Sequence, residues 1–456
     1  MIAVVSLLAL LVGAVAMALS GGGTNLPITE IVLLCVIFCV FFGAGIYIAA
    51  ALGILGLLVG FTFSDRPFWL AAGTMIWKPS KESVFVAVPL FLLMGEILLR
   101  AGLSDRLYRA LNVWLNRLPG GLLHTNILSC AVFSAISGSS VATAATMGSV
   151  ALPYFSDTKY NPRMVLGSLA AGGALGNLIP PGITFIIYGL ITETSVGQLY
   201  IAAIGPSILV TGLFLLVIAW HGFRAPPIEP PPPLPLAQKL IALLGLVPTL
   251  ILVVVVLGSI YAGWATPTES AALGVVGAAV FAALEGKLGW RMMHDSATAT
   301  ARNTALIGLI LMGSFLLNYV LTILQVPQTM AQTVASLPMP SWAIMAVIIG
   351  FYLALGTFME GFSMIITTIP VVFPIVRALG YDPIWFGVIV TMLIEIAMIS
   401  PPDGTVMYVL QGMRPKPGPI TDVFVGVTPF LIVYMVAVFI LLWIPELATW
   451  LPQVMG

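Results

Sequence analysis

The chain has 456 residues, 17 of them Lys or Arg and 17 Asp or Glu, and only 7% are charged against 60% hydrophobic. Soluble domains carry about 25% charged residues, so a globule of this length could not cover its surface. The mean hydropathy of +1.11 excludes water-soluble enzymes, nucleic-acid binders and secreted scaffolds, and points to a polytopic membrane protein. A spanning helix needs about 20 apolar residues, and the apolar stretches allow roughly ten to thirteen crossings or half-crossings. Runs such as 208–220 and 241–260 do not alternate as barrel strands do, so the expected fold class is all-α.

Taken in chain order, residues 1–26 read as an extra N-terminal helix and loop: 1–20 is apolar, lacks the basic residues of a signal peptide, and runs into Gly21-Gly22-Gly23. Cys35, Cys39 and Cys130 lie in apolar surroundings and read as core filler. A first half is expected over 27–222. Within it, 67–77 with Trp69 and Trp77 reads as an interfacial helix that meets lipid or a partner subunit, and Glu96 stands four residues before Arg100, the spacing of an intrahelical ion pair. Residues 122–155 carry Ser137-Gly138-Ser139-Ser140 near their middle and basic residues at both flanks (Arg117; Lys159 and Arg163), which predicts a re-entrant hairpin with a Ser/Gly tip. The helix 163–190 is broken at 177–182 by Pro180-Pro181, since proline removes a backbone donor and clashes with the preceding turn.

Residues 223–240, rich in proline, read as an extended cytoplasmic connector. A second half over 241–456 follows the first at a constant offset of 221 residues: Ala50-Ala51-Leu52-Gly53 returns as Ala271-Ala272-Leu273-Gly274, Tyr160-Asn161-Pro162 as Tyr381-Asp382-Pro383, Pro153 as Pro374, and Pro180-Pro181 as Pro401-Pro402. The offset places a second hairpin at about 341–374, with Gly356-Thr357 and Glu360-Gly361 near its middle, and a second broken helix at 384–413, interrupted at 400–404. Basic residues cluster in cytoplasmic loops. Arg100, Arg106, Arg109 and Arg117 have no basic counterparts in the second half, whereas Arg414 and Lys416 have none in the first, so the halves are expected to be inverted. Trp114, Trp220, Trp264, Trp290, Trp443 and Trp450 flank apolar runs as an interfacial belt does.

Inverted repeats with broken helices and re-entrant tips describe secondary transporters. Unwound carbonyls and the hydroxyls of Ser137, Ser139, Ser140, Thr357 and Ser400 can replace the hydration shell of Na⁺, and half-helix N-termini can face an anion. Small residues such as Gly274 read as helix packing. An intramembrane carboxylate is costly, which makes Glu360 and Asp403 functional candidates; Glu360 could carry cation charge or a hydrogen bond and reads equally well as a structural cap, and Glu395, in an apolar helix, reads equally well as a buried structural partner. His124, His221 and His294 are far apart, and nucleotide-binding or hydrolase signatures are missing, so no enzyme chemistry is expected and ATP use would need another subunit.

These residues carry a resemblance. The run PLFLLMGE at 89–96, Pro119-Gly120-Gly121, Ser137-Gly138-Ser139-Ser140 with Gly148-Ser149 and Pro153, Ile179-Pro180-Pro181-Gly182 with Tyr188-Gly189, TPTESAALG at 266–274, the stretch 370–374 and Ser400-Pro401-Pro402-Asp403-Gly404 together resemble the large membrane subunit of tripartite ATP-independent periplasmic (TRAP) transporters, over nearly the whole chain after residue 27. The resemblance implies an elevator-type Na⁺ symporter of the bacterial inner membrane, with a scaffold and a mobile transport domain. It further implies a small membrane subunit, a periplasmic binding protein delivering an organic acid such as a dicarboxylate, and no cofactor beyond the coupling ion. Carried over by motif, the sodium and substrate sites fall on Ser137, Gly138, Ser139 and Ser140 with Asn177, Pro180 and Gly182, and on Gly356, Thr357, Met359, Glu360 and Gly361 with Ser400, Pro401, Asp403 and Gly404. Two positions depart from the family pattern: Asp403 replaces an apolar residue, and Asn177 a commoner proline. Two other readings stay open: a stand-alone divalent-anion/sodium symporter needing no binding protein, and a membrane scaffold subunit that transports nothing.

Overall fold

The computed structural model describes residues 46–455 except 65, 156–157, 225–233 and 403. The segment expected at 1–26, Cys35, Cys39, most of the Pro-rich connector and Asp403 therefore lie outside the described residues. The rest is helical. The first half holds α1 (Ile48–Phe63), α2 (Trp69–Lys81), α3 (Ala87–Ala101), α4 (Leu103–Leu115), α5 (Leu122–Ser137), α6 (Ser140–Phe155), α7 (Pro162–Gly173), α8 (Ile183–Thr192) and α9 (Val196–Arg224). The second holds α10 (Leu236–Leu243), α11 (Val247–Tyr261), α12 (Pro267–Leu284), α13 (Trp290–Ile323), α14 (Val326–Ala335), α15 (Ser341–Leu355), α16 (Gly361–Ala378), α17 (Pro383–Met398), α18 (Thr405–Gly412), α19 (Thr421–Trp443) and α20 (Glu446–Met455). Among the described residues six helices are long and apolar enough to cross a membrane, or seven if α10 and α11, bent by 41°, form one span. The chain is a multi-pass membrane protein.

Local chemistry explains the repeated element order. In both halves an Asx-Pro pair starts the helix before the break. Asn161 accepts from the Arg163 amide at 3.0 Å, and Asp382 accepts from the Ile384 and Trp385 amides at 2.7 and 2.9 Å. Each caps a helix whose first residue is proline, where the missing N–H costs nothing. The connector differs from expectation at its end. Helix α10 begins at Leu236, directly after Pro235, because Leu-Ala-Gln-Lys-Leu-Ile-Ala-Leu contains only good helix formers and no further proline. The first break also opens earlier than 177: α7 ends at Gly173.

The halves exchange partners. Helix α1 packs on α13 while α12 packs on α3; α6 packs on α18 while α8 packs on α16. Each pairing recurs with the roles of the halves swapped, the pattern of a two-fold interface. Gly274 packs against Met94 and Val256, and Gly56 against Leu316 and Leu317, so both act as helix-packing positions.

Polar contacts define two ends of the molecule. At one, Arg106 pairs with Glu285, the Trp114 indole donates to the Lys239 carbonyl at 3.2 Å, Tyr160 accepts from the Leu122 amide at 3.1 Å, and Arg163 and Arg414 both bind Asp422 at 3.0 Å. At the other, Thr268 donates to the Ser83 carbonyl at 2.9 Å, Tyr188 to the Pro383 carbonyl at 2.7 Å, and the Trp385 indole to the Leu441 carbonyl at 3.0 Å. The helices α5 and α6 have their outer ends at the first, basic end; α16 ends, and α17 begins, at the second. Trp69, Trp77, Trp114, Trp220, Trp264, Trp290, Trp443 and Trp450 are all exposed, as a belt requires.

Two hairpin tips and two helix breaks

Helices α5 and α6 are joined at Gly138, whose φ of +58° is left-handed, a conformation glycine adopts without cost. A Cβ there would also lie 2.5 Å from the Pro181 carbonyl oxygen. The first tip is thus seated on the first diproline break, and the Ile183 amide donates to the Gly138 carbonyl at 3.1 Å. On the same tip Ser137 and Thr143 share a hydrogen bond of 2.6 Å. A side chain on Gly176 would run into the backbone of Ser139 and Ser140, so this glycine permits the contact. Pro180-Pro181 and Pro401-Pro402 are both cis.

At the centre of the assembly lies Glu395, fully buried on α17. Ser140 Oγ lies 2.7 Å from both of its carboxylate oxygens, and Asn177 Nδ2 donates to Oε1 at 2.8 Å. Asn177 also donates to Ser140 Oγ, from Nδ2 at 2.9 Å and from its amide at 3.2 Å. One carboxylate of the second half therefore holds the tip and the break of the first, and it does so at the N-terminal end of α6, where the helix dipole favours negative charge. Of the expected site residues, Ser140 and Asn177 are brought together by a residue outside the expected set. The signal for Glu395 was its charge in an otherwise apolar helix; its partners, 255 and 218 residues away, could not be read from spacing.

The second assembly is built likewise but is more open. Gly356 sits against Ala397 and Gly361 against Ile394 and Met398, so this tip also touches the helix entering its break. Thr357 donates to the Ala354 carbonyl at 2.7 Å, and Met359 is buried. Glu360 caps α16, accepting from the Ser363 amide at 3.1 Å and its hydroxyl at 3.3 Å. Ser400 accepts from the Gly404 amide through its carbonyl at 3.0 Å. Pro401 is exposed, whereas Pro180, Pro181 and Gly182 are buried. Ser139 is partly buried, with a long contact of 3.5 Å from the Ala142 amide.

Oxygens in and beside these breaks lack partners. Asn177 Oδ1, Thr184 Oγ1 and Thr405 Oγ1 are buried with no hydrogen bond. Other buried oxygens among the described residues also lack a partner, Thr125 Oγ1 and Thr249 Oγ1 among them, but these three stand in or directly after the two breaks, where a bound ion would supply the missing partner. Thr184 and Thr405 are related by the offset of 221 and stand in the first turn after each break, a correspondence visible in the sequence. Hydroxyl, amide and carbonyl oxygens are hard donors and fit a small hard cation such as Na⁺. Four helices, α6, α8, α16 and α18, begin at the tips and breaks and direct their N-terminal ends to this region.

A cavity of about 1090 Å³ opens at the end opposite the basic one, between α2, α12 and α13 on one side and α8 and α16 on the other. Lys78, Glu82, Glu193, Thr268, Asn318 and Pro370 are among its lining residues. The tip residues do not line it.

The sequence model of the family described as "Tripartite ATP-independent periplasmic transporter, DctM component" matches residues 33–447. The chain is 33% identical over 411 residues to the C4-dicarboxylate TRAP transporter large permease protein DctM of Pseudomonas aeruginosa, covering 89% of this chain and 94% of that protein. It is 31% identical over 378 residues to the isethionate TRAP transporter permease protein DctMQ of Oleidesulfovibrio alaskensis, covering 82% of this chain and 59% of that longer protein. In fold it is similar to the crystal structure of the Alcanivorax borkumensis YdaH transporter, with a TM-score of 0.61, 15% identity, and coverage of 89% of this chain and 98% of that one.

Proposed function

This chain belongs to the DctM component family of tripartite ATP-independent periplasmic transporters, and on that premise we propose that it couples Na⁺ binding at its hairpin tips and helix breaks to import of a small organic acid. It is the large permease of a secondary transporter and a protein of the bacterial inner membrane, and large permeases of this family work with a small membrane subunit and a periplasmic binding protein. The C4-dicarboxylate relative supports a carboxylate-bearing solute. Four helix N-termini directed at the tips and breaks supply the electropositive surroundings such a group needs. The observation that carries the sodium reading is the set of buried unpartnered oxygens, Asn177 Oδ1, Thr184 Oγ1 and Thr405 Oγ1, beside the two tips.

Replacing Thr184 and Thr405 together by Val keeps volume and removes the two oxygens. The expected outcome is a rise of about tenfold or more in the Na⁺ concentration for half-maximal uptake into proteoliposomes, since each lost ion contact is worth roughly a charge-assisted hydrogen bond, about 1.5–3 kcal/mol. Uptake at saturating Na⁺ should be largely kept. An unchanged Na⁺ dependence removes these hydroxyls from the ion sites.

Inversion of the halves is supported by helix directions. Arg163 binds Asp422, Gly167 lies on Gly426, and Tyr434 donates to the Ala174 carbonyl at 3.4 Å, so α7 and α19 run parallel. Trp385 at the start of α17 reaches Leu441 at the end of α19, so those two run antiparallel. Helices α7 and α17, counterparts in the repeat, therefore point in opposite directions. The basic end then faces the cytoplasm and the 1090 Å³ cavity faces the periplasm, as a mouth for solute delivered by the binding protein. The tips and breaks form the mobile part of an elevator, and α1, α3, α12 and α13 belong to its scaffold. With the three native cysteines replaced by alanine, Arg109→Cys and Gln332→Cys, both exposed, should react with a membrane-impermeant maleimide from opposite faces. Labelling of both from one face contradicts the inversion.

A further inference from the structure

We propose that a cleft at the basic end, formed by Arg100, Lys287, Gly289 and Arg291, binds the phosphate headgroup of an anionic phospholipid. The cleft has a volume of about 440 Å³ and is completed by Met292 and Asp295. Its depth identifies the membrane surface. Leu284 is the last residue of one spanning helix and Trp290 the first of the next, so the intervening turn lies at headgroup level. Leu284, Leu288 and Trp290 are exposed at 81%, 44% and 87%, which places apolar surface for acyl chains directly beside the charges.

The charges in the cleft are incompletely matched. Arg100 pairs with Glu96, and its Nη2 lies 3.5 Å from the Asp295 carbonyl. Lys287 and Arg291 have no ion-pair partner among the described residues. Asp295 is the one carboxylate lining the cleft, and it lies 3.6 Å from His294. Two unpaired cations against one carboxylate leave a single net positive charge, which one phosphodiester neutralises. Gly289 also leaves the N-terminus of the 34-residue α13 without a side-chain cap, so free amides face the same space, as in other phosphate sites. Basic pockets between spanning helices on the cytoplasmic side take up anionic headgroups by this chemistry. The inference requires membrane placement but not transport.

The test is binding to the purified full-length protein in neutral detergent, read as the rise in melting temperature against concentration of a short-chain phosphatidylglycerol, a short-chain phosphatidylcholine and inorganic phosphate. The wild type should bind phosphatidylglycerol about tenfold or more tightly than phosphatidylcholine. Lys287→Gln with Arg291→Gln should weaken phosphatidylglycerol binding about 25-fold, from about 1 kcal/mol for each cation near a headgroup, with an unchanged melting temperature in detergent alone. A control, Lys159→Gln with Arg224→Gln, removes two exposed charges elsewhere at this end and should leave the preference intact. Equal binding of the two lipids, a preference surviving in the double variant, or its loss in the control overturns the proposal. Inorganic phosphate binding as tightly as phosphatidylglycerol assigns the cleft to a soluble anion and overturns the lipid reading. Failure of the wild type to bind until its exposed Trp290 face is freed of a co-purifying subunit assigns the surface to protein and does the same.

Discussion

Replacing Glu395 by Gln is expected to lower Na⁺-driven uptake about 100-fold while leaving a folded protein. The carboxylate accepts from Ser140 and Asn177, and the Asn177 Nδ2 group and the Ser140 hydroxyl are also bonded to each other. An amide fills the same volume, but its NH₂ group meets Ser140 Oγ, which already accepts from the Asn177 amide and Nδ2. At least one charge-assisted bond is lost, and each is worth about 1.5–3 kcal/mol, or a factor of about ten or more. The loss falls where the first tip meets the first break, the region proposed to bind the ion, so on that proposal it lowers uptake more than it disturbs global packing. Ser140→Ala removes the same link from the other side. Because the residues act as one unit, Ser140→Ala combined with Glu395→Gln should cost less than the two separate losses added together. Uptake within threefold of wild type in Glu395→Gln, with additive effects in the pair, would show that this carboxylate only fills space.

Glu395 also marks the border of what the sequence discloses. Periodic and local signals were legible: the 221-residue offset is a match of the sequence with itself, and the Ser/Gly tips and the diproline breaks follow from chemistry within a few residues. The structure places helix ends within a few residues of the expected tips and breaks. What stayed hidden depends on partners distant in the chain. Nothing near Glu395 announces that Ser140 and Asn177 converge on it, because that meeting is set by how α6, α7 and α17 cross. Glu360 shows another border: from its position it reads equally as an ion ligand and as a helix cap, and in the fold it accepts from Ser363 at the start of α16. Thr184 and Thr405 were within reach, being related by the offset, but a lone threonine after a break reads as filler until its hydroxyl is found buried without a partner.

The second large effect is expected at Gly167, where a leucine should prevent assembly of the two halves. Helices α7 and α19 touch backbone to backbone: a Cβ on Gly167 would overlap the Gly426 carbonyl and lie 2.9 Å from its Cα, and one on Gly426 would overlap the Arg163 carbonyl. Helices in membranes associate through such close approach of small residues, since lipid offers no hydrophobic drive between them. Overpacking a core that can relax costs about 1–3 kcal/mol, but here both opposing atoms are main chain and neither can rotate away. Relief requires the helices to separate, which strips Asp422 of Arg163 and pulls Tyr434 from the Ala174 carbonyl. Gly167→Leu should therefore cost more than about 3 kcal/mol, a large share of the total stability of about 5–15 kcal/mol typical of folded proteins, and appear as aggregated or unstable protein in detergent. Gly212→Ala, on α9 with no atom within 4 Å of the added Cβ, is the matched control and should melt at or slightly above the wild-type temperature, because alanine is the better helix former by about 1 kcal/mol. A Gly167→Leu protein as stable as that control would mean that α7 and α19 do not meet as closely as described, and with them would go the parallel pairing on which the opposite directions of α7 and α17 rest.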